Sequence, residues 1–335
     1  MSSAKWGSVL ICTCLAFVFL SLCLVSQPTA ASAGTNRHIR EIFIGQCWYY
    51  TEYIGQSLGE SVQKNCTDLW EKFSHAWMYK DPCDVTVADY EPFVNAATVP
   101  GEVPTNKAVF WEAAYTLAHD YSGRRRRYVA SADILTGYLG NHVFAWCGQE
   151  EEPGINYDHC PLEEDCPMFQ GQYGGMWTAV SKAFAEVCTG VIKMILNGTT
   201  AGSNVAFNER SYFNLFELPN LPKAKVTRFQ LMVFHDVGKT HKETCNNGSI
   251  PLLKKRLEEL GFEYDCIDDP SALKHILCLD DINSAECQFA SKVLRPTSAS
   301  YTTGAGLQTL VFGGILILSV SCLWLFYNHL QNKLS

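Results

Sequence analysis

Eleven cysteines lie between two apolar ends of this chain, and no other feature limits its fold as strongly. The chain has 335 residues and fifteen cysteines, of which Cys12, Cys14, Cys23 and Cys322 fall in the apolar ends. At the N-terminus one cation, Lys5, precedes an apolar run from Val9 to Val25, and small residues close on Ala31-Ser32-Ala33. This is the pattern of a secretory signal peptide over residues 1–33. An uncleaved signal anchor is the rival reading, and the well-formed cleavage site favours removal. Secretion places the remaining cysteines in an oxidising compartment, where disulfides are the default state. Spacing alone does not give their connectivity.

Leu307 to Tyr327 is apolar over a length that can span a bilayer. It reads either as a single transmembrane helix or as the discarded tail of a GPI signal over 299–335, with Ser298-Ala299-Ser300 as the attachment region. A stop-transfer helix is usually followed by several cations, whereas only Lys333 follows here. The balance favours a lipid anchor in the outer leaflet of the plasma membrane over a single span. Without Lys5 and Lys333, the ectodomain of residues 34–298 holds 24 basic against 34 acidic residues. Such a surface does not attract nucleic acid, and affinity for a dinucleotide has to come from local contacts. Asn65-Cys66-Thr67, Asn197-Gly198-Thr199 and Asn247-Gly248-Ser249 are glycosylation sequons, the second the least certain because it stands at an expected helix end.

From Cys47 to His119 the pattern is helical. Asn65 or Thr67 can cap a segment with Leu69, Phe73, Ala76 and Trp77 at helical spacing, and a second helix is expected from Lys107 to His119. The clearest helix runs from Met176 to Leu196, with one stripe from Trp177 through Val180, Phe184, Cys188 and Val191 to Ile195, ended by Asn197-Gly198. Gly171 to Gly175 reads as a turn before it rather than as a phosphate loop. Later, Val226 to Phe234 is β-rich, Ser249 caps a helix closed by Gly261, and Phe262, Tyr264 and Cys266 alternate as a strand. That βαβ unit requires parallel strands. The expected fold is α+β or α/β in two lobes. One is mainly helical (40–130 and 165–215), and the other is an α/β lobe with a small parallel sheet (131–164 and 216–290). A ligand belongs in the cleft between them. Arg124 to Arg127 reads as a solvated loop. His119, His142, His159, His235 and His241 are scattered, and no metal-ligand spacing appears.

The most informative stretch is Trp177 to Leu221. Trp177 and Ser181 stand one helical turn apart, and Glu217 is a lone acid between Phe216 and Leu218 with Pro219 behind it. An acid framed this way belongs at a pocket wall. Together with Val109-Phe110-Trp111, Leu117-Ala118-His119, Asp133 to Leu139, Trp146-Cys147-Gly148, Asn156-Tyr157 and Cys160-Pro161, this stretch resembles the ADP-ribosyl cyclase family of NAD-consuming ectoenzymes. The likeness covers roughly Cys47 to Cys287.

That resemblance implies the bridges Cys47–Cys66, Cys83–Cys166, Cys147–Cys160, Cys245–Cys266 and Cys278–Cys287. Cys188 is left over, as a buried apolar thiol. Thr105 stands where mammalian relatives place a further cysteine. The resemblance also implies Glu217 as the catalytic acid, Trp111 and Trp177 as the indoles that hold nicotinamide, and Ser181 on the ribose and its phosphate. Ser211, Tyr212 and Phe213 would line the approach. Asp133 keeps one of two adjacent family acids as a substrate contact; Ala132 replaces the other, which in relatives influences the choice between cyclisation and hydrolysis. His142, in a loop with Asn141 that departs from the family, is a second candidate for biasing that choice. NAD is then a substrate and no cofactor is required. Hydrolysis to nicotinamide and ADP-ribose is expected to dominate, with base exchange and minor cyclic product. A predominant cyclase is the first alternative. An inactive receptor-like ectodomain is the second, and it would have lost one of Trp111, Trp177, Ser181 and Glu217.

Overall fold

The computed structural model describes residues 33–56, 62–123, 127–143, 145–199, 205–280 and 283–288, all within one compact unit, residues 1–290. Its first part is helical. α1 (Ile39–Tyr49) passes into a wide π-turn, and α2 (Cys66–Trp77) follows. Asn65 caps α2 by accepting from the Thr67 and Asp68 amides, which satisfies two of its unpaired first-turn N–H groups. Leu69, Phe73, Ala76 and Trp77 are buried as their spacing requires. Phe73 stacks on Phe43 from α1 at 4.9 Å, and its ring also meets Trp146 at 5.3 Å. The Trp146 indole donates to the Tyr90 hydroxyl at 3.0 Å. Tyr90 lies on α3 (Val87–Ala97) and donates in turn to the Gln172 carbonyl at 2.8 Å, so one polar chain crosses this core.

A four-stranded, wholly parallel sheet forms the rest of the frame, in the order β1 (Val109–Glu112), β2 (Gly190–Asn197), β3 (Val226–Phe234), β4 (Tyr264–Asp268). The expected βαβ unit is present as β3, α7 (Ile250–Leu260) and β4; α4 (Tyr115–Ser122), α5 (Leu135–His142) and α6 (Gly171–Val187) lie between β1 and β2, and α8 (Ser271–Asp280) follows β4. Gly261 closes α7 in the left-handed region at φ 74°, as its position predicts. Ser249 stands at the N-cap of α7 as expected, but its side chain makes no capping bond. Its hydroxyl donates to the buried Glu243 carboxylate.

Two expected helices are corrected. The stretch from Lys107 to His119 is a strand and a shorter helix, broken at Ala113, whose φ is +50°. Val109, Phe110 and Trp111 are stiff, bulky residues that suit a pleated surface better than a helix. The Met176–Leu196 helix stops at Val187, and β2 begins at Gly190 with φ +78°. A Cβ there would meet the Asn106 side chain at 2.3 Å, so glycine is needed both for its conformation and for the close approach. The stretch 191–196, apolar but for Lys193, fits either period, and its β-branched members settle it as a strand. Asn197-Gly198 therefore ends a strand, and Gly171 to Gly175 form the first turn of α6 rather than a turn before it. Both corrected strands fall in stretches assigned to the helical lobe, so the sheet draws on both expected lobes.

All five implied disulfides are present. Cys188 is the free cysteine among the described residues, buried just past the end of α6. Thr105 meets the Thr189 hydroxyl at 3.0 Å instead of forming a further bridge. No helix among the described residues is long and apolar enough to cross a membrane. The C-terminal segment 299–335, residues 1–32 of the expected signal, and Arg124 to Arg126 lie outside the described residues.

Asn65 and Asn247 are exposed, and Asn65 caps α2 through its oxygen, leaving its amide nitrogen for a glycan. The Asn197 amide nitrogen instead donates to the Ala113 carbonyl at 3.2 Å. Glycosidase digestion read by gel shift should therefore change on Asn65→Gln and Asn247→Gln and stay unchanged on Asn197→Gln.

Candidate active site

A cleft of about 620 Å³ opens beside the carboxyl end of β1, and Trp111, Trp177, Ser181, Ser211, Phe213 and Glu217 all line it. Three separate parts of the chain bring them together. β1 carries Trp111, and α6 presents Trp177 and Ser181 one turn apart on the same face. The segment between β2 and β3 supplies the rest and carries a π-helical turn, Phe213–Glu217. Such wide turns are rare and recur at functional sites. Phe213 anchors this one, its ring tilted against Phe110 at 5.5 Å and edge-on to Phe229 at 6.2 Å. Behind it the Asn220 amide donates to the Phe216 carbonyl at 2.7 Å, which fixes the exit beside Pro219.

Glu217 is only 7% exposed. Burial pushes its pKa from 4.5 to about 8, the hydrogen bond from Ser181 draws it back, and the nearby Glu112 charge pushes it up further. The dominant cause is loss of water around the charged form. Glu217 also raises the pKa of buried Cys188, secondary to that thiol's own desolvation.

Glu112 is the site residue that the sequence reading missed. It is buried, lines the cleft and has its own pKa raised to about 7 by burial, against the pull of bonds from Ser211 and the Asn208 amide. The Ser211 hydroxyl and the Asn208 N–H, the latter at 2.8 Å, both donate to its carboxylate. Val109-Phe110-Trp111-Glu112-Ala113-Ala114 is another lone acid in an apolar frame, the same signal that singles out Glu217. An expected helix masked it.

Other expected residues lie elsewhere. Ala132 lines the cleft, but Asp133 does not. The Asp133 carboxylate accepts from the Ala130 amide at 2.9 Å, stands 4.0 Å from the His119 ring and borders an adjoining hollow of about 1240 Å³. His142 borders that hollow too, stacked on Tyr138 at 4.0 Å with its Nδ1 2.8 Å from the Tyr138 carbonyl. Asn141 reaches both spaces. Tyr212 lines the cleft and donates to Glu163 at 3.1 Å. Arg210 is the one cation among the described residues that line it.

The profile of a family described as ADP-ribosyl cyclase matches residues 36–287. The chain belongs to that family. It is 38% identical over 283 residues to ADP-ribosyl cyclase/cyclic ADP-ribose hydrolase 2 of Mus musculus, covering 84% of this chain and 87% of the relative. The ADP-ribosyl cyclase/cyclic ADP-ribose hydrolase of Aplysia californica is 33% identical over 290 residues, covering 86% and 98%. Among solved structures, Aplysia cyclase complexed with substrate NGD and product cGDPR aligns with a TM-score of 0.71 at 33% identity, over 76% of this chain and 98% of that one. Porcine CD38 with a covalent intermediate aligns with a TM-score of 0.63 at 28% identity, over 71% and 98%.

Two outcomes follow from the raised carboxyls. A site that needs Glu217 ionised should gain kcat/KM as pH rises toward about 8, and Glu112→Gln should move that limb to lower pH by removing the neighbouring charge. A rate profile of both proteins checks this. Between pH 4.5 and about 8 the folded chain holds a proton on Glu217 that the unfolded chain releases. Stability from this group therefore falls across that window as pH rises. Glu217→Gln should melt above the wild type, by a margin that widens from about pH 5 to pH 8 at about 1.4 kcal/mol per pH unit at most.

Proposed function

We propose that the protein is an ecto-NAD glycohydrolase that cleaves the nicotinamide–ribose bond of NAD. The observation that carries this reading is the buried Glu217 carboxyl in one cleft with two indoles and the Ser181 hydroxyl. The flat, cationic pyridinium fits indole faces, which add cation–π attraction of ~0.5–2 kcal/mol. Trp111 and Trp177 are each only partly buried and so have surface to offer a ligand. When the C1′–N bond breaks, its electron pair leaves with nicotinamide as a neutral base and the positive charge passes to the ribose ring. Ionised Glu217 stabilises that oxocarbenium centre, as carboxylates do in glycosidases, by its field or by a bond to C1′. Water then adds at C1′ and loses a proton, giving ADP-ribose. A second pyridine adding at the same carbon gives base exchange.

Hydrolysis dominates over cyclisation in this proposal. Ala132 leaves the cleft wall without a carboxylate at that point, and Glu112 and Glu217 give the interior polar groups that hold water. Cyclic ADP-ribose is a minor product, formed when the substrate's adenine reaches C1′ first. Arg210 faces the pyrophosphate, which the surface's net negative charge would otherwise repel. No cofactor takes part, since NAD is the substrate. The site lies at the outer face of the plasma membrane, on a lipid anchor added after removal of 299–335.

Glu217→Gln should cut turnover of an etheno-adenine NAD analogue by at least about 10²-fold while the protein stays folded. Near-normal turnover in that variant would refute the proposal, and product chromatography with NAD should give mainly ADP-ribose. Arg210→Ala should raise KM severalfold with little change in kcat, measured as initial rates across NAD concentration.

A further inference from the structure

We infer that His235, His241 and Asp269 form a binding site for a zinc-like divalent cation, separate from the catalytic cleft. The three groups meet at the carboxyl ends of β3 and β4, and none of them lines the cleft. Their candidate ligand atoms all lie within 4.8 Å of one another.

The geometry at His235 points to a cation. Its Nε2 lies 2.8 Å from the Glu243 carbonyl, which can only accept, so that nitrogen carries the proton. Its Nδ1 lies 2.9 Å from Asp269 Oδ1, another acceptor, which already takes the His235 backbone N–H at 3.0 Å. A neutral ring therefore turns a lone pair toward a carboxylate oxygen in a place closed to water, since the His235 side chain is 1% exposed. Either a second proton or a metal ion removes that conflict. His241 adds a third ligand. Its ring is stacked on His235 at 3.7 Å and parallel within 1°, and its Nδ1 is 3.9 Å from the other Asp269 oxygen. Once the His241 ring turns out of this stack, one metal ion can take both Nδ1 lone pairs and the carboxylate together.

Two imidazoles and one carboxylate suit zinc better than calcium or magnesium, which favour all-oxygen sites. Zinc bonds of about 2.0–2.2 Å draw these ligands closer than they stand. His241 is half exposed and can turn its ring out of the stack to aim at the shared ion. The His235 Nε2–H bond to a backbone carbonyl is the outer support that metal-bound histidines usually have. Three protein ligands leave a fourth position for water.

The site also has a route to the cleft. Glu243, whose carbonyl holds His235, accepts the Ala206 and Ser249 amides on its carboxylate at 3.1 and 2.6 Å. The Phe207 amide donates to Ser249, and Asn208 next to it donates to Glu112. A cation at the histidine pair would therefore brace the segment that forms one cleft wall.

The test is a zinc titration of the purified full chain after treatment with a chelator, read by calorimetry and by the visible spectrum of a cobalt(II) substitute. The wild type should bind about one ion per chain with the cobalt spectrum of a four-coordinate nitrogen–oxygen site. His241→Ala and Asp269→Asn should each weaken binding by at least about 10²-fold. Because His241 is half exposed, its loss should leave the melting temperature without metal unchanged. Glu217→Gln should bind zinc as the wild type does, which separates this site from the cleft and from the outcome of the NAD assay. A wild-type chain that takes up no zinc, or a His241→Ala chain that binds it undiminished, would overturn the assignment.

Discussion

Four strands running one way are the constraint from which the rest of this molecule follows. Parallel neighbours need long crossovers, so each strand leaves the sheet at the same edge and the chain must travel back before the next begins. The carboxyl ends therefore gather, and ligand sites in parallel sheets form beyond them. Glu112 closes β1, Asn197 closes β2, His235 follows β3 and Asp269 follows β4. Glu217 lies in the crossover between β2 and β3. The helices that flank this edge bring the remaining cleft residues, above all Trp177 and Ser181.

The site works against its own burial. An acid buried beside a thiol loses the water that keeps it charged, and one serine hydroxyl does not restore it. A second acid nearby adds to the cost. Proteins keep such arrangements where a positive charge is to be met, because the carboxylate that is costly alone becomes favourable opposite a cation.

Much of this was legible in the sequence, and the failures share a cause. α2, the βαβ unit and the apolar frame of Glu217 were readable because local pattern and tertiary role agree there. The resemblance supplied the five disulfide pairings, which spacing could not. β1 and β2 were misread because a short apolar strand and a buried helix carry the same run of side chains, and only the sheet decides between them. Glu112 was lost with β1. The histidine pair was invisible for another reason. His235 and His241 are six residues apart and Asp269 comes far later, so only the adjacency of β3 and β4 makes them neighbours.

Glu112 and Glu217 have a consequence for what a ligand does on arrival. Burial raises their pKa values to about 7 and about 8, so at neutral pH the two carboxyls together hold well short of two negative charges. Under the proposed function, a pyridinium ring held against Trp111 and Trp177 favours the ionised forms of both carboxyls and expels hydrogen ions into the medium. Capture of the dinucleotide is thus an acid-releasing event before any bond is broken, and buffers of different ionisation enthalpy should report different heats for it.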